Sequence, residues 1–479
     1  MSATMETYAD VEFFKDLEEK TNIHIEWDHN TSDDTFALMI ASGDLPDMIN
    51  WNLANAAGGV TALLEDNVIL DLTEMMPEYA PNYYAWMQAN PEEDTAFKTD
   101  AGQYFQFVNF NCNWDTMDMI YFQILGPQIR QDWLDKLGLE MPTTTDELYE
   151  VLVAFRDNDM NGNGDPSDEV PYVVTNSLEA LMTLAGSFGA RDDVMRDPVS
   201  GEVVYGPITD NFKKFLEYAN KLYTEGLINS DFAVNSDALG LITQNQAGFT
   251  ISSMGSSLIA NHAALLEQDP TFNYVSVPWL IGPDGYQCVT TDKNANPRAT
   301  AITSACEYVE EAMRWLDYHY CYQGSMDSTF GIEGKSYEFI DGYPTIMEAV
   351  KTNDNGWSEE QSMARWMLGP INYPNARDYR FYEQINLSEQ YMKDIQTNWS
   401  LQKEDIALPP ITMTPEESST YSKIMTDIDT YHDEMVLKFI TGEANLETDW
   451  DSYVSNIQGM KLDEALACRA AALERYESR

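Results

Sequence analysis

One short segment of the 479-residue chain has the residue types and spacing of a cation-binding loop. In "DMNGNGDPSDE", Asp159, Asn161 and Asn163 occupy alternate positions, and Gly164 follows where a sharp turn must bring their oxygens together. Asp165 comes next and can add a backbone carbonyl. These positions correspond to the first half of an EF-hand-type loop. Oxygen ligands without His or Cys favour calcium over zinc.

The second half of this loop departs from the EF-hand pattern. Val170 stands where the closing Glu is expected, and Asp168 and Glu169 come early. We therefore expect a compressed loop with the metal ligands Asp159, Asn161, Asn163, Asp165, Asp168 and Glu169. The alternative is an Asx-rich turn that bonds its own backbone. Because Pro171 follows and no open catalytic position is evident, the expected calcium is structural.

Aromatic residues in loops and at strand ends are candidates for ligand binding. A ligand with apolar faces ringed by hydroxyls needs aromatic platforms with amide, carboxylate or Arg groups at their edges. Trp51 follows a predicted strand, and Trp114 lies in the polar segment "NFNCNWDTMD". Trp133, Trp315 and Trp450 lie on amphipathic helices and are predicted core residues. The predicted ligand-binding set is Trp51, Asn52, Asn111, Trp114, Asp115, Trp279, Arg365, Trp366 and Tyr373.

Helices and short strands must position these candidates. In "NFKKFLEYANKLYTEGL" the apolar residues fall on one helical face and Gly226 ends the helix, whereas "IHIEW" alternates like a strand. Such alternation of helices with short apolar strands predicts an α/β fold. No internal repeat is present, so we expect interleaved lobes.

Charge and composition exclude several classes of function. The chain has 80 acidic and 27 basic residues and a net charge of −53, a field that repels nucleic acids and anionic membranes. No apolar run approaches the ~20 residues of a membrane span. Five widely spaced cysteines form no zinc motif and predict no disulfide framework. The start "MSATMETYAD" has no signal segment, which indicates either a cytosolic protein or a trimmed mature form.

Six motifs occur in order along the chain: "ASGDLPDMI" (41–49), "IRQDWLDKLGLEMPTTTDEL" (129–148), the calcium-type loop ending "DEVPY", "KLYTEGLI" (221–228), "GIEGKSY" (331–337) and "LKFITGE" (437–443). Together they resemble the sugar-binding, family 1 type, extracytoplasmic solute-binding proteins of ABC importers. The resemblance is to the long lipoprotein branch that includes oligosaccharide and alginate binders. Relative to that family, we expect the usual first strand to be missing from the start of the sequence, and the calcium loop has one extra residue before Asp168.

The resemblance implies a periplasmic-binding-protein-like type II fold, in which two α/β lobes joined by a hinge close on ligand in the cleft between them. We expect residues 1–112 and 273–342 to form lobe 1. Residues 113–272, with the calcium loop, and 343–479, with a helical C-terminal part, are expected to form lobe 2.

The expected function is that of a transport receptor without enzyme activity. It would capture an oligosaccharide and deliver it to an ABC permease, as a monomeric, cell-surface lipoprotein that binds no nucleic acid. A neutral sugar is expected because no basic cluster is visible in the sequence to pair with uronic acids. The alternatives are the same fold binding a peptide or another small polar solute, a glycoside hydrolase with two carboxylates, or a structural surface protein. No GxSxG, HExxH, Walker or GxGxxG motif occurs at a strand–helix junction.

Overall fold

The computed structural model describes residues 6–479 except 30–31, 57, 121–124, 176–177, 234–238, 254–264, 267–268, 289–298, 353–356, 358, 372, 386–393, 396 and 400–405. Its α-helices are Glu12–Thr21, Asp33–Ser42, Gly59–Glu65, Met76–Tyr79, Pro81–Ala89, Pro91–Ala96, Gln131–Leu137, Thr145–Arg156, Leu178–Met182, Asp210–Thr224, Leu239–Thr243, Val309–Tyr318, Tyr322–Phe330, Glu348–Lys351, Glu359–Met363, Arg380–Ile385, Pro415–Thr441, Trp450–Gly459 and Leu462–Glu477. Within this described part, none of the helices is long and apolar enough to cross a bilayer.

The strands are short and are scattered along the chain. They are β1 (Met48–Trp51), β2 (Phe107–Val108), β3 (Phe110–Asn113), β4 (Asp118–Ile120), β5 (Leu125–Arg130), β6 (Val170–Val173), β7 (Val194–Arg196), β8 (Val203–Tyr205), β9 (Ala247–Ser253), β10 (Tyr274–Ser276), β11 (Ala299–Ile302), β12 (Tyr337–Ile340), β13 (Tyr343–Ile346) and β14 (Ala376–Asp378).

These strands form small sheets in which local hairpins are combined with pairings between strands that are distant in sequence. The orders are β1-β11-β2, β10-β5-β9-β6 and β14-β3-β4, with the two-stranded pairs β12-β13 and β7-β8. β14 runs parallel to β3, with Ala376 opposite Phe110, and β6 runs parallel to β9. The remaining named pairs are antiparallel. The predicted α/β class is therefore observed, with mixed rather than purely parallel sheets.

Two large hydrophobic cores organise the chain. The first core contains buried residues from 11–119 and 299–376. The second core contains buried residues from 129–280 and 395–465. The chain therefore passes from one core to the other between β4 and β5, between β10 and β11, and again before residue 395. This is the interleaving expected from the absence of repeats and linkers.

The membership of the two cores differs from the predicted division at residues 273 and 343. Residues 277–280 pack in the second core, because β10 adds to β5 with Tyr274 opposite Arg130. Residues 364–376 pack largely in the first core, because β14 joins β3. Both placements depend on pairing between strands more than 140 positions apart, which hydrophobic periodicity does not encode.

Local sequence signals explain the helices that flank the calcium-type loop and start the C-terminal part. Thr144 caps the helix Thr145–Arg156 in a reciprocal capping box with Glu147. Thr414 and Glu417 form the same box at the start of Pro415–Thr441. The first of these helices ends at Arg156, directly before the loop predicted to bind calcium.

Candidate functional site

The calcium-type loop is held by its own carboxylates. Asp159 Oδ1 accepts a hydrogen bond from the backbone N–H of Gly162 at 2.7 Å, and Oδ2 accepts one from Gly164 at 2.9 Å. Asp165 Oδ1 accepts from the backbone N–H of Ser167 at 3.0 Å. Gly162 and Gly164 have positive φ values of 76° and 94°, so the predicted sharp turn is present.

Glu169 and Asp168 close the loop from the other side. Glu169 Oε1 accepts from the backbone N–H groups of Met160 at 2.6 Å and Asn161 at 3.1 Å. Its second oxygen, Oε2, is buried and has no hydrogen-bond partner among the described residues. Burial raises the pKa of Glu169 above its ordinary value. Asp168 Oδ2 accepts from the amide of Asn163 at 2.6 Å.

The donor set of this loop fits a hard cation. The six predicted residues lie in one loop and offer only carboxylate, amide and carbonyl oxygens, the donors that calcium prefers. The buried, unpartnered Oε2 of Glu169 is an unused acceptor in that set. In the side-chain geometry described, no group of three or more His, Cys, Asp or Glu side chains converges closely enough to hold an ion. The loop carboxylates accept bonds from N–H groups instead.

Three neighbouring elements are fastened to the loop. Lys136, on helix Gln131–Leu137, donates to the backbone carbonyls of Asp159 at 2.7 Å and Met160 at 3.1 Å. Gln246, at the turn before β9, donates its amide to Asp168 Oδ2 at 2.9 Å. The carbonyl of Gln246 accepts from the backbone N–H of Val170 at 2.8 Å, where β6 begins. The loop therefore joins this helix, β6 and β9 within the second lobe.

A second polar site lies on the sheet β14-β3-β4. Asn111 on β3 and Arg377 on β14 are register partners. Their chain neighbours Phe110, Cys112 and Ala376 are buried in the first core, so strand alternation places Asn111 and Arg377 on the opposite face. The chain leaves this sheet for the second core twice, once after β4 and once between β14 and residue 395.

Unpaired polar atoms mark this face. Arg377 is 4% exposed and donates to the carbonyl of Ile371 at 2.8 Å and to the hydroxyl of Tyr382 at 2.6 Å. Arg377 Nε and Asn111 Oδ1 are both buried, and neither has a partner within the described part of the chain. Leaving a buried donor or acceptor unsatisfied costs about 1–3 kcal/mol. A polar ligand that bonds to both atoms would remove this cost.

Trp114 lies in the turn between β3 and β4, partly buried against the first core. Its indole N–H donates to Ser325 Oγ at 2.9 Å. Its ring makes edge contacts with Trp86 at 5.0 Å and Tyr322 at 5.4 Å between centroids. Asp115 follows it with an exposed side chain. Asn111, Trp114 and Asp115 therefore lie on β3 and the turn that follows it, with Trp114 packed against the first core.

Sequence reasoning missed the polar residues contributed by β14 and by the start of the helix Arg380–Ile385. Arg380 binds Asp378 through its Nε at 2.8 Å, and Asp378 is 1% exposed. The pKa of Arg380 is raised, first by this hydrogen bond to Asp378. The segment "NARDYR" does carry a signal, since basic residues flank an aspartate near the end of a strand. That pattern is common on exposed surfaces, so the pairing of β14 with β3 is needed to recognise these residues as part of a site.

The remaining predicted residues are dispersed. Trp51 ends β1 and stacks on Phe36 at 5.9 Å in a separate small cluster. Asn52 caps a short helical turn by accepting from the N–H of Ala54 at 3.2 Å. Arg365 lies 5.5 Å from the ring of Trp357. Trp366 is partly buried against a third cluster around the helix Tyr322–Phe330.

Trp279 and Tyr373 are core residues, which corrects the expectation from their positions in loops. Trp279 is 2% exposed, packs in the second core, and donates its indole N–H to the carbonyl of Trp399 at 3.0 Å. Tyr373 is 3% exposed and packs in the first core against Phe14 at 5.2 Å and His319 at 5.3 Å. Each ring is enclosed by residues that are distant in sequence.

Comparison with known proteins places the whole chain beside transport receptors. No protein-family model matches the chain. The chain is 25% identical over 490 residues to the fructooligosaccharide ABC transporter substrate-binding protein FusA of Streptococcus pneumoniae, covering 96% of this chain and 86% of FusA. It is 26% identical to lipoprotein LipO of Bacillus subtilis, covering 90% of this chain and 82% of LipO.

Solved structures show the same fold. The alginate-binding protein AlgQ2 without calcium ion superposes with a TM-score of 0.78 at 23% identity, covering 97% of this chain and 94% of AlgQ2. An EF-hand mutant of S. pneumoniae FusA in complex with fructo-nystose gives a TM-score of 0.77 at 22% identity, covering 99% of this chain and 97% of that one. The predicted two-lobed type II fold and the resemblance to sugar-binding solute-binding proteins are both confirmed.

Proposed function

We propose that this chain is the substrate-binding protein of an ABC importer, and that it captures an oligosaccharide between its lobes for delivery to the permease. The observation that carries this proposal is the similarity to FusA over nearly the full length of both chains. The sheet β14-β3-β4 supports it independently, because two buried and unpaired polar atoms, Asn111 Oδ1 and Arg377 Nε, belong to register partners on it.

The mechanism that we propose is lobe closure. One lobe would comprise residues 6–120 and 299–385, and the other 125–288 and 394–479, which follows the two hydrophobic cores. A ligand that contacts both lobes stabilises the closed form by its extra contacts there, and the permease then recognises that form. Binding and release break no covalent bond in the ligand, so the chain acts as a receptor without catalysis.

Each site residue has a role that its geometry suits. Asn111 Oδ1 would accept a hydrogen bond from a sugar hydroxyl, and Arg377 Nε would donate one to a hydroxyl or ring oxygen. Trp114 would offer its ring to the apolar face of a sugar, and Asp115 would bind hydroxyls at its edge. Trp51, Asn52, Arg365 and Trp366 remain predicted ligand contacts that join this set only if closure brings them near.

A neutral oligosaccharide suits the charges of the site. Arg380 is already paired with Asp378, whereas Arg377 has no carboxylate partner among the described residues. One cation in a chain of net charge −53 offers little to a polymer that carries a carboxylate on every unit. FusA is named for fructooligosaccharides and AlgQ2 for alginate, so relatives with this fold include binders of both classes.

Calcium is proposed as a structural ion of the second lobe. Asp159, Asn161, Asn163, Asp165, Asp168 and Glu169 would hold it, with Glu169 Oε2 as the ligand atom that the loop itself leaves unbonded. A structural ion supplies only charge and fixed geometry there. The names of two structural neighbours, which mention calcium and an EF-hand, support this assignment.

The proposed location is the outer face of a membrane. Relatives are named as an ABC transporter substrate-binding protein and as a lipoprotein, which supports an extracytoplasmic, lipid-anchored receptor. We propose that it is monomeric. Its partners would be the sugar and the membrane permease.

Thermal unfolding in the presence of a glycan panel tests the function. Fructo-, malto- and xylo-oligosaccharides and oligogalacturonates would be added, each as a length series, with calcium present throughout. A ligand at 100 times its dissociation constant adds about 2.7 kcal/mol to the folded state, so one class should raise the Tm clearly. The bound sugar should be recovered intact. Cleaved products would favour a glycoside hydrolase, and stabilisation only by peptides would refute the sugar assignment.

The variant Arg377→Gln tests whether the glycan binds at the proposed site on β14 and β3. It should reduce the stabilisation by the active glycan, because Arg377 Nε is one of the proposed donors. Arg156→Gln is the matched control, since Arg156 lies next to the calcium-type loop and bonds Asp157 instead. Equal loss in both variants would contradict the proposed site.

A further inference from the structure

A line of aromatic and polar side chains leads away from Trp114 to the hairpin β12-β13. The rings of Trp114 and Tyr322 meet edge to face at 5.4 Å. Tyr322 lies close enough to Arg380 to contribute, after Asp378, to the raised pKa of Arg380. The guanidinium of Arg380 lies 6.0 Å from the ring centre of Tyr343. Trp114, Tyr322, Arg380 and Tyr343 therefore follow one another from the turn after β3 to the hairpin.

The far part of this line is open to solvent although its groups are large and apolar. Tyr322 is 47% exposed, Tyr343 is 36% exposed and Ile340 is 51% exposed. Ile340 and Tyr343 are register partners, so they share one face of the hairpin. Tyr337 and Ile346, on the other face, are buried and anchor the hairpin to the molecule.

The line is also rigid. The hairpin turns at Asp341 and Gly342 with φ values of 51° and 82°, the positive pair that a tight two-residue turn requires. Arg380 is fixed between the two tyrosines by Asp378, which is almost fully buried. Tyr343 donates its hydroxyl to Glu383 at 2.6 Å. The exposed rings therefore have fixed positions before any ligand arrives.

We propose that Tyr322, Arg380, Tyr343 and Ile340 form an outer subsite that binds further sugar units of the same oligosaccharide, beyond the units held at Asn111, Trp114 and Arg377. This inference rests on the proposed function and adds that the preferred ligand is long. Flat tyrosine faces bind the apolar faces of sugars, and Arg380 and Glu383 at their edges bind hydroxyls.

A protein partner fits this surface less well than a sugar. A stable protein interface buries about 800 Å² on each side around an apolar centre. Here the exposed apolar groups are three partly exposed side chains interrupted by Arg380 and Glu383. A narrow strip of rings with charged edges suits a linear chain of sugar units.

Calorimetric titration with a length series tests the subsite. The probes are oligosaccharides of the class that stabilises the unsubstituted protein, from the disaccharide upward. Tyr322→Ala and Tyr343→Ala should each weaken binding of the longest members about tenfold, the loss expected for one aromatic platform, and leave the shortest members within about twofold. Tyr308→Ala is the matched control, because Tyr308 is a 65% exposed tyrosine on another element.

A second variant avoids removing a packed ring. Ile340→Glu places a charge at the tip of the hairpin and should reproduce the length-dependent loss without affecting the fold, which its Tm will report. Equal losses at every length, or no loss at any length, would overturn the outer subsite while leaving the receptor function in place. Failure of every glycan to bind the unsubstituted protein would overturn the function and, with it, the subsite.

Discussion

At the scale of single residues, Glu169 decides the calcium assignment. One of its oxygens is bonded to two backbone N–H groups, and the other is buried without a partner. We predict that Glu169→Gln abolishes the response to chelator, because it removes a charged ligand from the closing end of the loop. The measurement is Tm with calcium and with EDTA.

The matched control for that experiment is Asp157→Asn. Asp157 ends the helix before the loop and pairs with Arg156, outside the predicted ligand set. It should retain the parental fall in Tm on chelation. If the parent itself does not respond to EDTA, or if Glu169→Gln responds like the parent, the calcium proposal is wrong.

Asp317 makes stability depend on pH. Burial raises its pKa from 3.8 to about 6, although the N–H groups of Asn82 and Tyr83 bond the carboxylate and act to lower the pKa. The folded state therefore holds this proton more tightly than the unfolded state. The contribution of protonated Asp317 to the free energy of unfolding is therefore complete below pH 4 and is lost as the pH rises to about 6.

We predict that Asp317→Asn removes this dependence. The free energy of unfolding of the parent, relative to the variant, should fall between pH 4 and pH 6 by at most about 1.4 kcal/mol per pH unit. Urea unfolding at several pH values measures the difference. A difference that stays constant or rises over this range would show that the pKa is not raised.

The sequence could predict the calcium-type loop, because its ligand residues stand at a fixed local spacing. The loop ligands follow one another, so their pattern is visible without the fold. The place of Arg377 in the site was not predictable, because it depends on the pairing of β14 with β3, which sets Arg377 opposite Asn111. For the same reason Trp279 and Tyr373 were misassigned, because the rings and backbone that enclose them are remote in sequence.

At the scale of elements, a charged network ties the last helix to the first lobe. Arg475, on helix Leu462–Glu477, bonds both oxygens of Glu417 and reaches Asp100 Oδ2 at 3.0 Å. Asp100 follows the helix Pro91–Ala96 and also accepts from the hydroxyl of Thr412 at 2.8 Å. The network therefore connects segments that pack with different cores.

We predict a measurable but small coupling between Asp100 and Arg475. Arg475 is about one-third exposed, so solvent screening limits the coupling energy of the pair to about 1 kcal/mol or less. A double-mutant cycle with Asp100→Asn and Arg475→Gln measures it. The exposed pair Lys438–Glu434, within one helix, is the control and should couple more weakly. A coupling no larger than the control would mean that the network does not fasten the lobes.

Helices were better predicted than strand pairings. The apolar face of Asp210–Thr224 is buried as the 3.6-residue periodicity predicts. The strands are two to seven residues long, and the pairings of β1, β2, β5, β6, β9, β10, β11 and β14 join segments far apart in the chain. Periodicity therefore gave neither these pairings nor the points where the chain changes lobe. The predicted boundaries at 273 and 343 differ from the observed cores for this reason.

At the scale of the whole molecule, capture of a ligand by closure requires two lobes that move. Two separate cores, between which the chain passes three times, permit a hinge rotation without repacking either core. The proposed site lies on strands next to those passages, where rotation changes the surroundings of a ligand most. A bound oligosaccharide should therefore favour a more compact form.

Small-angle X-ray scattering with and without the stabilising glycan tests this claim most directly. The protein, with calcium present, should show a smaller radius of gyration at about 100 times the dissociation constant of the glycan than it shows alone. Arg377→Gln at the same glycan concentration should show less compaction, because it binds less of the sugar. A glycan that binds tightly but leaves the scattering unchanged would contradict capture by lobe closure.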